Sequence, residues 1–200
     1  WGCPLGCDRY GIRANGNATA DVHELSVELK EFDLFRSHYA WAADEADVKI
    51  VDSQGTAADV DPAFRSEDTG KLRVSQFQST YALPREPQLP ALFAATGSSL
   101  LQVDQGAYEL EVSATSDTPW SVFAADAAAE LRVDAGTFHL SYDEGVTTDA
   151  VVGVLAEDQS RIEISGGSFD FEVGNSTIRH LDVRDEATVT MFGSGFNYPL

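Results

Sequence analysis

Glu109, His139 and Asp170 follow one another at intervals of 30 and 31 residues, and Glu111, Ser141 and Glu172 repeat those intervals two positions further on. They become neighbours only if the chain coils on itself with a period near thirty. With strands about 4.8 Å apart and residues i and i+2 about 7 Å apart, the six positions would form a compact acidic patch around a histidine. Three chemistries fit such a patch. Glu109 with Glu111, or Asp170 with Glu172, could act as the separated carboxylates of an inverting glycosidase. The oxygens could collect Ca²⁺, a hard cation that takes several carboxylates. Alternating acidic residues could also simply keep an exposed sheet in water. Nothing beyond alternation selects these residues, so the last reading is preferred and no residue is given a catalytic role.

Asp104 and Asp134 form a second pair thirty residues apart, with Ser165 in the next equivalent place. Stacked carboxylates repel, so the pair is a candidate cation site, with hydrogen bonding at a turn as the more ordinary explanation. Cys3 and Cys7 are the only cysteines. No histidine stands close enough in sequence to complete a metal set with them, and a local disulfide pinning the N-terminal segment is the expectation for a secreted chain. Asn17-Ala-Thr19 and Asn175-Ser-Thr177 fit the glycosylation sequon. The sequence contains no G-x-S-x-G elbow, Walker loop, dinucleotide fingerprint or H-E-x-x-H.

The element that must position these residues is a repeat. Leu92–Val112, Val122–Tyr142 and Gly153–Val173 align without a gap: a short apolar piece, a polar turn, Leu/Ile-x-Val/Ile, a Gly-bearing corner, then aromatic-x-Leu/Phe. Within each copy apolar and polar residues alternate, the period-two pattern of a strand with one buried face. Leu101, Leu131 and Ile162 would point inward, as would Val103, Val133 and Ile164, and Tyr108, Phe138 and Phe169. Gly106, Gly136 and the pair Gly166-Gly167 mark a corner where a left-handed backbone favours glycine. One copy is too small to bury its own apolar face, so successive copies must stack. The expected fold is all-β, a parallel β-helix of about six to seven coils of 23–31 residues. An antiparallel sandwich or barrel is the alternative.

Weaker copies extend the pattern upstream through Leu72 and Val74, Val48 and Ile50, and then Leu25, Val27, Phe32 and Leu34. Residues 1–24 read as an N-terminal cap or irregular segment. Residues 25–200 read as repeats, truncated or open at the C-terminal end, since the sequence stops within a rung. Residues 81–90, 113–119 and 143–149 fall at the same corner of successive copies, where loops would leave the sheet. Trp1 opens the sequence without an initiator Met, as in a mature or trimmed product.

The formal charge is −20, from 33 acidic against 13 basic residues. That balance argues against nucleic acid, whose binding needs basic patches. No stretch is long and apolar enough for a membrane-spanning helix, so no membrane insertion is expected. No cofactor is called for, apart from Ca²⁺ as a stabilising ion.

The G-G-x-F element at Gly166–Phe169, the I-x-I before it and the closing G-S-G-F-N-Y of residues 193–198 resemble repeat segments of secreted bacterial β-helix proteins, the pectin-lyase-like and autotransporter-passenger-like group. The resemblance covers residues 92–198 and, more weakly, 25–91. It implies an extracellular or cell-surface location. The Asp, Arg, Lys and His clusters of that group's enzymes have no residue-by-residue match here. The expectation is therefore a non-enzymatic structural or adhesive repeat protein, assembling end to end into a filament or surface layer with copies of itself or other surface proteins. The alternative is a carbohydrate-binding or carbohydrate-active β-helix with a polysaccharide partner.

Overall fold

A computed structural model describes residues 9–29, 37–57, 62–82, 91–112, 120–142, 150–171 and 177–197. The chain advances in coils. The first is β1 (Arg9–Ala14), β2 (Thr19–His23) and β3 (Ser26–Leu29); the second β4 (Ser37–Ala42), β5 (Asp47–Val51) and β6 (Gln54–Ala57); the third β7 (Phe64–Ser66), β8 (Lys71–Ser75) and β9 (Gln78–Ala82). In the next two coils the second and third strands fuse, giving β10 (Ala91–Ala95) with β11 (Leu100–Val112), and β12 (Trp120–Ala125) with β13 (Glu130–Tyr142). The sixth has β14 (Ala150–Ala156), β15 (Arg161–Ser165) and β16 (Ser168–Phe171), and the last β17 (Thr177–Val183), β18 (Thr188–Phe192) and β19 (Gly195–Asn197).

One sheet stacks β1-β4-β7-β10-β12-β14-β17, and a bent twelve-stranded sheet carries the remaining strands in two limbs. Neighbouring strands run parallel, as the fused strands illustrate: Leu101 pairs with Leu131 and Leu131 with Ile162, Tyr108 with Phe138 and Phe138 with Phe169. The described residues include no helix.

Two columns of left-handed residues bend every coil. At the turn between the first and second strands lie Gly16, Asp44, Asp68, Gly97, Ala127, Asp158 and Asp185. At the corner between the two limbs lie Glu24, Asp52, Gln76, Gln105, Ala135, Gly166 and Gly193. Their φ values run from 50° to 75°. Glycine meets the expectation at Gly136, Gly166 and Gly167, which all take positive φ, and departs from it at Gly106. In the fourth coil the left-handed residue is Gln105, one before Gly106, and what demands glycine at 106 is space. A Cβ there would sit 2.2 Å from the Tyr108 ring.

The core is two aromatic ladders. Phe64, Phe93 and Phe123 stack with centroids 5.2 Å apart, and Tyr108, Phe138 and Phe169 stack at 5.0 Å. The ladders meet edge to face, as in Phe93–Tyr108 at 5.0 Å and 89°, a favoured arrangement for ring quadrupoles. Around them Leu72, Val74, Leu101, Val103, Leu131, Val133, Ile162 and Ile164 are fully buried.

The first coil is a correction. Val48 and Ile50 pair with Ala20 and Val22, while Val27 lies beside Gly55 in the other limb. The first interval is thus the 28 residues from Ala20 to Val48, and residues 9–24 carry β1 and β2 within the ladders instead of forming a cap or irregular segment. Leu25-x-Val27 imitates the Leu-x-Val of the later strands, whereas Ala20 gives almost no apolar signal. Phe32, Leu34 and the loops at 83–90, 113–119 and 143–149 lie outside the described residues, as do Cys3 and Cys7.

Candidate functional site

The alternation that buries Phe138 and Leu140 turns His139 outward. Parallel register then sets Glu109 on one side of it and Asp170 on the other. His139 Nδ1 lies 3.5 Å from an Asp170 carboxylate oxygen, with both side chains about half exposed. Glu111 stands beside Ser141. Glu172 lies outside the described residues. The same column continues toward the first coil through Thr80, Thr56 and Glu28. A carboxyl poised as a general acid is usually held in an apolar pocket; Glu109, Glu111 and Asp170 are exposed.

Asp104 and Asp134 also lie side by side, with Ser165 next in the column. The Gln102 amide donates to both carboxylate oxygens of Asp104, at 3.3 and 3.1 Å, and the Ser165 hydroxyl donates to Asp134 at 3.2 Å. Burial pushes the Asp104 carboxyl above its ordinary value, the Gln102 amide lowers it, and the charge of Asp134 raises it further. Neutral donors thus answer the two carboxylates. Among the described residues no three His, Cys, Asp or Glu side chains gather in a metal-holding group.

Two features escaped the sequence reading. On the outer face of the first sheet, Tyr10 stacks on His38 at 5.2 Å, and Trp41 is clasped between Arg13, 5.1 Å from its ring, and Arg65, at 4.4 Å. Trp41 is buried, so this cation–π sandwich ties the first three coils together. The second feature is an open cleft of about 660 Å³ at the corner of the first four coils. It contains the corner residues Glu24, Asp52, Gln76 and Gln105 together with Gln54 and Gln78 from the following strands. A second cleft of about 510 Å³ continues it along the limb toward Glu28 and Glu109. The spacings of 24 residues between Gln54 and Gln78, and 29 between Gln76 and Gln105, equal the core intervals Val48 to Leu72 and Leu72 to Leu101. That coincidence was the signal available beforehand.

No protein-family model matches the chain, and neither the curated proteins nor the solved structures contain a match. The chain is an all-β parallel β-solenoid. Nothing narrower than that architecture follows from likeness to other proteins.

Proposed function

We propose that this solenoid is a non-enzymatic structural element, working at the cell surface or outside it, whose coils stack on those of further copies. One observation carries the reading. In the last coil Leu181 and Val183 occupy core columns, yet are 46% and 44% exposed. Leu181 continues the column Ile12, Ala40, Phe64, Phe93, Phe123 and Val154. At the opposite end Ile12, Ala20 and Val22 are only partly buried. Setting the first coil of one copy on the last coil of another would face Leu181 with Ile12, Val189 with Ala20 and Met191 with Val22. Apolar meets apolar in each column, and the parallel ladders continue. Such a head-to-tail contact does not close on itself and builds a filament. The extracellular placement rests on the resemblance of Gly166–Phe169 and residues 193–198 to secreted β-helix repeats.

Sedimentation velocity across a concentration series tests the assembly. Growing species are expected for the native chain. In Leu181→Lys/Val183→Lys they should disappear while the thermal midpoint holds, because both side chains already face water. A native chain that stays monomeric at the highest concentrations overturns the reading, as does unchanged association of the double variant.

A further inference from the structure

We propose that the corner cleft of the first four coils is a binding site for an uncharged, hydroxyl-rich polysaccharide laid across the strands. The chain has seven glutamines, and four of them, Gln54, Gln76, Gln78 and Gln105, line this one cleft. Gln102 and Gln159, by contrast, spend their amides on Asp104 and Glu186. Among the described residues no protein group hydrogen-bonds the four cleft amides through their side chains. All four are exposed. Each offers two N–H donors and a carbonyl acceptor, the complement of a sugar hydroxyl that both donates and accepts. The coils set them in two rows, Gln76 with Gln105 and Gln54 with Gln78, at the strand spacing of about 4.8 Å. A polymer with a regular hydroxyl pattern can meet such rows repeatedly.

Charge selects among polymers. Glu24 and Asp52 line the cleft, and no Lys, Arg or His does. A polyanion is repelled there. The backbone argues against an extended peptide. Along the floor of the cleft β6 is paired on both sides, with β3 and β9, and β9 with β6 and β11; among the described strands only β3, at its rim, keeps one edge without a partner. Apolar lining is limited to Leu25, Gly106 and Ala107, which leaves a peptide side chain no pocket. The site is also bounded. In the last three coils the equivalent residues are Ala135 and Thr137, Gly166 and Ser168, and Gly193 and Gly195. The amides are therefore confined to the first four of the described coils instead of repeating along all of them. The reading is independent of end-to-end assembly, since the cleft lies on the side of the coils.

Affinity electrophoresis through gels containing soluble glucan, mannan, galactan, xylan, polygalacturonate or chitosan tests the site. At least one uncharged polymer is expected to retard the native chain. Its apparent affinity should fall about ten-fold or more in Gln54→Ala/Gln78→Ala, from the loss of two amide contacts. Gln159→Ala, away from the cleft, should bind as the native chain does. The exposed positions keep the thermal midpoint unchanged, so a folding defect cannot imitate the loss. The proposal is overturned if no uncharged polymer binds, or if binding survives the double variant. It is equally overturned if chitosan alone binds and salt abolishes it, which is the acidic face acting as a charge. A displayed peptide library selecting extended sequences through these glutamines, with no polymer bound, would assign the cleft to peptide.

Discussion

Asp104 shows how a stacked solenoid handles a charge repeated in register. Burial lifts its carboxyl above the ordinary value and the Asp134 carboxylate adds to that, with the Gln102 amide opposing. A carboxyl whose folded value is raised binds its proton more readily in the folded state. The ionised form therefore subtracts from stability above the folded value, and the penalty fades as the pH falls below the unfolded value of about 3.9. Asp104→Asn keeps an acceptor for Gln102 and removes the repulsion. It should stabilise the fold at neutral pH by no more than about 1 kcal/mol, because solvent screens the site, and raise the thermal midpoint accordingly. In melts run well below pH 3.9 the gain should vanish. A variant less stable than the native chain at neutral pH would show that the stacked carboxylates are held by something these contacts omit.

From the second coil to the sixth, each places a ring in the core, and successive coils do this from different positions. In the fourth, Gly106 at the corner leaves room for the ring of Tyr108. The third reverses the sizes: Phe77 stands in the corner, 5.1 Å from Phe64 and nearly perpendicular to it, and Ser79 pairs with Tyr108 across the strands. In the second coil Gly55 has no Cβ, and the ring of Tyr39, from the opposite sheet, fills its place. Phe77→Ala should cost about 3–5 kcal/mol in urea denaturation. Phe77→Gly/Ser79→Phe, which also removes the corner Cβ that would meet the new ring, should recover a substantial part of that loss relative to Phe77→Ala by giving the third coil the pattern of the fourth. No recovery would mean that the two positions do not share one space. This exchange explains what the sequence could and could not reveal. Leu101, Leu131 and Ile162 announced the repeat because the same sizes recur at the same place. The first coil was misplaced because Ala20 is small. The corner residues were missed because Asp, Gln, Glu and Ala stand in a conformation that glycine usually signals. The cleft was missed because exposed glutamines leave no trace in an apolar pattern.

Across the whole molecule, a net charge of −20 works against compaction. Ion pairs between coils, such as Arg73–Asp47 at 2.7 Å and Arg184–Glu157, are partly exposed and individually contribute little. Repulsion outweighs them, so the thermal midpoint should climb with sodium chloride as the Debye length shrinks from about 30 Å at 0.01 M to about 3 Å at 1 M. A midpoint that falls with salt would mean that attraction between the coils prevails over their shared negative charge. The two left-handed columns carry a further consequence. Their members stand eight residues apart in every coil: 16 and 24, 44 and 52, 68 and 76, 97 and 105, 127 and 135, 158 and 166, 185 and 193. The number of residues from the second column round to the next coil's first is different in each passage, ranging from 16 to 23. The chain thus behaves as a ruler with one rigid graduation and one elastic one. A residue added inside the rigid span would turn every following side chain of that strand inside out. Added to the elastic span, it would only lengthen the road home, and new sequence can accumulate there without disturbing the columns.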